Sequence, residues 1–466
     1  MKIALRVLLV LLGGFVVWRI LASGIADHYA ARIAEGDRGA VQKALAWAPH
    51  HPQAVLADAI ELIETDPVSA KARLKDAYRY DPTNPRPLVL LARLAYVDGE
   101  LDEADALMDS AVRLGPADPS ILNETAAYWA MRGELEKGVS YWSRVLEADP
   151  GRGRQIFPVL MELVEDPRTL PVVRPLALSP PSWWDSFFAE VAQRALDVET
   201  VRSLYGLRRE AIGAPPTADE RAAYVSRLQR DGLVTEAYLI WVNGLAPDER
   251  RYLGLLYDGG FELEPSQSGF GWIAPRTSQV EMRIAATYGT QGSRALHVRF
   301  ANRERPFRHL FQRLYLDPGN YRVYGKVRPE GLDTLGGLRW QVNCLLTDSA
   351  QESTPLGESE RFLGAGDWRS FSFDFVVPQG CVFQEIRLVS SGRRAFEHKM
   401  NGVVWFDALG IRKVEEVSAA ARIGVSAGDA PMPAPVDDEE RPSAGDDLES
   451  GADQDGANLA GSAGEG

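Results

Sequence analysis

The spacing of apolar residues changes twice along this chain, and each of the three regimes predicts a different kind of structure. Met1, Lys2 and Arg6 precede a near-continuous apolar run, Val7 to Trp18, which resumes past Arg19 and continues to Ala26. The run has no amphipathic period, which argues against a buried first helix of a soluble domain. Counted from Ile3 to Ala26 it is long enough to cross hydrocarbon, with Arg6 and Arg19 reaching opposite interfaces and Trp18 at one of them. The expectation is a transmembrane signal anchor over residues 1–26. A secretory signal cut near Ala22-Ser23-Gly24 is the alternative. Both carry the bulk of the chain across the membrane, so the expected location is the inner membrane, single-pass, with that bulk periplasmic.

From residue 27 to 255 the pattern becomes helical and repeats. Three blocks starting at His51, Pro85 and Pro119 align without gaps at a period of 34. The second block places Leu88, Leu91, Ala92, Gly99, Ala104, Met108, Ala111 and Pro116 where the third has Leu122, Thr125, Ala126, Gly133, Gly138, Trp142, Val145 and Pro150. The first keeps the pattern with Ala70, Leu74, Ala77 and Pro82 but has Thr65 in place of the glycine. Small residues let antiparallel helices approach, glycine tolerates positive φ at the bend, and proline stops the second helix. At Gly133-Glu134-Leu135 and Ala148-Asp149-Pro150 the blocks resemble the tetratricopeptide family. That resemblance implies an α-solenoid whose groove holds protein partners. Residues 27–50 read as a degenerate cap, and Gly232, Ala237, Trp241 and Gly244 as a further divergent hairpin. Between them, residues 153–217 are proline-rich, and the aromatics Trp183, Trp184, Phe187 and Phe188 are expected to seal the end of the stack.

Past Leu256 the period shortens to two. Leu296, Val298 and Phe300 alternate with His297 and Arg299; Leu338, Trp340 and Val342 alternate with Arg339, Gln341 and Asn343. Further runs at Tyr321–Lys326, Phe371–Phe375, Val382–Leu388 and Val403–Ile411, with turns such as Asp317-Pro318-Gly319-Asn320, predict a jelly-roll β-sandwich over 256–414. The fold class is therefore multidomain α + β, a tetratricopeptide-like α-solenoid followed by a sandwich. Gly259-Gly260-Phe261-Glu262, Gly269-Phe270-Gly271-Trp272 and the closing Trp405-Phe406-Asp407-Ala408-Leu409 resemble the galactose-binding-like sandwich of carbohydrate-binding modules. The resemblance implies a structural calcium ion on Glu262 and Asp407, although the second acidic residue that family members often carry is Ala408 here. A surface-turn glutamate and a strand-end hydrogen-bond acceptor are the plainer roles for the pair. Sugar binding needs aromatic faces and planar amide or guanidinium groups. The candidates are Trp272, Arg299, Tyr324, Trp340 and Gln341, together with Gln312 and Gln384, two glutamines in register with apolar neighbours that need partners from a ligand or a backbone.

Charge and cysteine content refine this picture. The formal charge is −14, but eleven acidic residues and one arginine from Asp429 onward supply −10 of it. The tail, 415–466, poor in large apolar residues, is expected to be disordered. No basic stripe suggests nucleic acid. Cys344 and Cys381 are the only cysteines; outside the cytoplasm they are expected to pair between neighbouring strands, and inside it to be buried thiols. The six histidines lack metal-ligand spacing, and no nucleophile elbow is present. No cofactor is expected beyond the calcium that the resemblance implies. The chain reads as a non-enzymatic, membrane-anchored envelope scaffold, with protein partners on its repeats and polysaccharide on its sandwich, in exopolysaccharide assembly or export. A purely structural assembly factor is the alternative.

Overall fold

The computed structural model describes residues 2–345, 353–392 and 394–415. The tail expected to be disordered lies outside the described residues from 416 onward. Fourteen α-helices occupy the N-terminal half of the described chain: α1 Lys2–Ala34, α2 Gly39–Trp47, α3 Pro52–Leu62, α4 Pro67–Tyr80, α5 Arg86–Val97, α6 Leu101–Leu114, α7 Pro119–Met131, α8 Leu135–Ala148, α9 Gly153–Glu165, α10 Leu170–Leu178, α11 Trp184–Arg194, α12 Val198–Arg209, α13 Ala218–Arg230 and α14 Val234–Asn243.

The 34-residue period resolves into three hairpins, α3–α4, α5–α6 and α7–α8. Proline opens α3, α4 and α7, where a missing N–H costs nothing. The bends of the second and third hairpins turn on Gly99 and Gly133, both at φ 82°, a conformation that disfavours any side chain. Gly138 lets α8 lie against α7: a Cβ there would sit 3.0 Å from the Ala126 carbonyl. The helix α1 is not confined to the apolar run that ends at Ala26. It continues without a break past Ala26 to Ala34, and Ala22, Ala26 and Ala30, spaced one turn apart, are buried where α1 packs on α2 and α3. Trp183, Trp184, Phe187 and Phe188 are all buried in the core built by α8–α14. Beneath them lies a fully buried ion pair, Arg208 with Glu220 at 2.6 Å. Glu220 also accepts the Trp184 indole N–H at 2.7 Å and closes a capping box with Thr217 at the start of α13.

The C-terminal strands are β1 Trp272–Ile273, β2 Val280–Ala286, β3 Arg294–Arg303, β4 Leu310–Leu314, β5 Gly319–Thr334, β6 Leu338–Leu345, β7 Ser353–Glu358, β8 Arg369–Val377, β9 Phe383–Ser390 and β10 Met400–Lys413. They form two antiparallel five-stranded sheets, ordered β1-β4-β9-β6-β7 and β2-β3-β10-β5-β8. Trp272, Trp340, Phe362 and Phe406 meet between the sheets, with ring centroids 5.3–5.7 Å apart. Cys344 and Cys381 are joined, with Cα atoms 5.8 Å apart. The sandwich also shares a core with the helices: Phe270, Tyr257, Leu345 and Phe383 belong to the same apolar cluster as Trp241 of α14.

Candidate functional site

The residues singled out from sequence separate into three groups. Trp272 and Trp340 fill the space between the sheets at 3% and 0% exposure, so neither offers a ring face to a ligand. The reason is the pleat: Trp340 shares the inward side of β6 with Leu338 and Val342. Gln312 and Gln384 also point inward, and backbone satisfies both. Gln312 accepts from Tyr257 N at 2.9 Å and donates to Tyr257 O at 2.8 Å. Gln384 accepts from Leu316 N at 3.0 Å and donates to the carbonyls of Leu316 and Cys381. Each amide stands in for a missing strand, pinning a loop that the sheet ladder does not reach.

Arg299 and Tyr324 are exposed on the outer face of the β2-β3-β10-β5-β8 sheet. Arg299 lies opposite Glu281 and Val403, and Tyr324 lies beside Arg412. Gln341 is on the outer face of the other sheet, so the three surface candidates do not converge on one site.

Around Gln341 the tertiary structure assembles a constellation with no local trace in the sequence. Strand pairing lines up Phe311, Arg387, Gln341 and Glu358 as one row across β4, β9, β6 and β7. The Arg387 guanidinium lies 4.1 Å over the Phe311 ring, bonds the Arg308 carbonyl, and is held in plane by Glu385, itself almost fully buried. One residue pair along, Arg339 bridges Glu358 and the Ser391 hydroxyl. Beside this row lies an open depression of about 780 Å³ lined by Arg339, Gln341, Glu358, Arg361, Ser391 and Phe396. Phe396, on the 3-10 turn Ala395–His398, is 56% exposed and forms its apolar rim. At the opposite end of the strands the face is walled by the helices, where Tyr238 contacts Tyr315 at 5.4 Å and Thr235 hydrogen-bonds the Tyr315 hydroxyl at 2.8 Å. The face thus carries fixed planar donors and acceptors, with Phe396 at one end of the strands and the helix-packed Tyr315 at the other. Such a surface suits a polyhydroxylated ligand.

Glu262 and Asp407 both clasp the connection between β2 and β3. Glu262 accepts from Ser293 N and Oγ, each at 2.8 Å, and from Arg294 N at 3.2 Å. Asp407 Oδ2 accepts from Gln291 N at 2.6 Å, while Oδ1 is buried without a hydrogen-bond partner. Burial raises the Asp407 pKa from the usual carboxylate value, against the bond from Gln291. Gly259, whose carbonyl accepts from Leu409 N, joins the opening and closing segments, and a Cβ there would overlap the Leu409 carbonyl at 1.6 Å. Among the described residues no group of three or more His, Cys, Asp or Glu side chains gathers as a metal site. A cation there would meet the orphaned Asp407 Oδ1 and a Glu262 whose two carboxylate oxygens already accept from Ser293 and Arg294, and would have to draw its remaining ligands from carbonyls.

A tetratricopeptide repeat family model matches residues 61–127. No curated protein sequence matches the chain. Among solved structures the chain is similar to one reported as "CBM4 structure and function", at 16% identity over 34% of this chain and 99% of that one, with a TM-score of 0.25. It is similar to the CBM22-1 xylan-binding domain from Paenibacillus barcinonensis Xyn10C at 16% identity, covering 35% and 97%, with a TM-score of 0.25. It is also similar to TmCBM61 in complex with β-1,4-galactotriose, at 18% identity, 35% and 98% coverage, and a TM-score of 0.23.

Proposed function

We propose that this chain is a membrane-anchored, non-enzymatic scaffold of the cell envelope that engages protein through its helical repeats and polysaccharide through the outer face of the β1-β4-β9-β6-β7 sheet, in assembly or export of an exopolysaccharide. The observation that carries the sugar reading is the Phe311–Arg387–Gln341–Glu358 row beside the Arg339–Phe396 depression. Planar groups held by protein partners lose little entropy on meeting hydroxyls, and exposed rings cover sugar C–H faces. A helical-repeat stack and a sandwich of this kind are binding architectures, in which function lies on surfaces rather than in the fold itself.

Three features support the placement. One helix is long and apolar enough to cross a membrane, Leu9–Ala34 as described. Cleavage near Ala22 would cut α1 inside its packed stretch and strip Ala22 from its contacts, which favours a retained anchor; the proposed location is an inner membrane, with the bulk of the chain periplasmic. The Cys344–Cys381 bond agrees with an oxidising compartment. Calcium held by Glu262 and Asp407 would supply the positive partner that Asp407 Oδ1 lacks.

The test is a glycan array with the full chain in detergent, comparing native protein with Arg339→Ala, Gln341→Ala and Phe311→Ala. Each variant is expected to lose about tenfold in affinity for a retained polysaccharide, about 1.4 kcal/mol. If the native chain retains no glycan, the sandwich docks protein and the chain is a purely structural assembly factor.

A further inference from the structure

The anchor and the repeat stack are one helix, and this fixes where the scaffold meets the bilayer. From Ile3 to Leu21, the last exposed large apolar residue of α1, the stretch is nineteen residues broken by Arg6 and Arg19, about 28 Å of helix at 1.5 Å per residue. A bilayer's hydrocarbon is roughly 30 Å thick. That stretch is used up in crossing the hydrocarbon, which leaves no apolar length to hold the stack away from the membrane and puts Trp18, one turn from its end, at the boundary between hydrocarbon and headgroups.

What lies level with Trp18 is the end of α2. This helix runs back along α1 with Ala40, Val41 and Ala44 buried, and it ends at Trp47, whose ring centroid is 5.8 Å from that of Trp18. Trp47 keeps 38% of its surface exposed. Arg19, beside Trp18 on α1, is exposed as well, whereas the Lys43 ammonium lies 5.8 Å from the Tyr29 ring, farther from the anchor. Paired indoles with Arg19 beside them match the headgroup layer, where amphipathic rings concentrate and basic side chains meet lipid phosphates.

We infer that α2 is a second membrane contact: its Trp47 end seats in the headgroup region of a phospholipid bilayer beside Trp18 and Arg19 and props the repeat stack directly on the membrane. The inference rests on the retained-anchor reading of α1. Because Trp18 and Trp47 meet from two packed helices, the α1–α2 pair acts as a rigid foot rather than as a flexible stalk.

The experiment uses the full chain in nanodiscs of phosphatidylethanolamine and phosphatidylglycerol, with a nitroxide on a single introduced cysteine at Ala46→Cys, Leu11→Cys or Val97→Cys. All three positions are exposed in the fold, and Trp47 is kept. Paramagnetic accessibility to oxygen against a water-soluble nickel chelate reports depth. The ratio at position 46 is expected to lie severalfold above that at 97 and below that at 11. A value at 46 equal to that at 97, with 11 still in the hydrocarbon, overturns the inference and leaves the anchor standing. A water-like value at 11 overturns the anchor and the inference together.

Discussion

Gln384 offers the sharpest division between a ligand-binding and a structural side chain in this sandwich. It is fully buried, and its amide engages Leu316 N at 3.0 Å, Leu316 O at 3.3 Å and Cys381 O at 2.5 Å. Gln384→Leu keeps the volume and removes every one of these bonds, leaving an N–H and two carbonyls without the partner the amide supplied. Each orphaned buried group costs about 1–3 kcal/mol. After the gain from burying a leucine, the expected loss is about 3–5 kcal/mol, a large share of the 5–15 kcal/mol that holds a typical domain together. Urea denaturation followed by near-UV circular dichroism would read the loss, and hydrogen exchange over residues 310–318 would place it at Leu316. Glycan retention by the molecules that remain folded is expected to be unchanged. An unfolding free energy within about 1 kcal/mol of native, or lost glycan retention with the sandwich intact, would refute the assignment of Gln384 as a backbone surrogate.

Glu220→Ala should be among the most damaging changes in the helical half, by about 3–5 kcal/mol, because it leaves the Arg208 guanidinium buried without its counter-charge; a thermal melt against Glu210→Ala, which touches only an exposed pair with Arg174, is the comparison. Asp258 is held at a pKa of about 6, raised by burial against the N–H groups of Glu262 and Leu263 that it accepts. An acid with a raised folded pKa contributes stability that is full below its unfolded value near 4 and is lost as pH rises through about 6. Asp258→Asn is accordingly expected to flatten the stability profile by about 3 kcal/mol over that window, and a profile as steep as native would count against it. Reduction of Cys344–Cys381, which closes a loop of 37 residues, should lower sandwich stability by about 4 kcal/mol, read as a fall in melting temperature with added dithiothreitol.

Much of the fold was legible because it is local. The 34-residue spacing with Gly99 and Gly133 at the bends reflects backbone constraints within each hairpin, which sequence neighbours decide among themselves. The alternation of Leu338, Trp340 and Val342 against Arg339, Gln341 and Asn343 likewise assigns the faces of a strand. The same pattern shows that Gln312 and Gln384 point inward, though not that Leu316 and Tyr257 wait there with unpaired backbone groups.

The candidate site was not local. Phe311, Gln341, Glu358 and Arg387 come from four strands whose order in the sheet, β4-β9-β6-β7, departs from their order in the chain. No periodicity within a strand carries that pairing, because it is settled when two separate sheets bury their apolar faces together. Sequence alone determined which residues could be buried and where each hairpin turns. Only the packed structure decided which polar residues became neighbours on the surface left over.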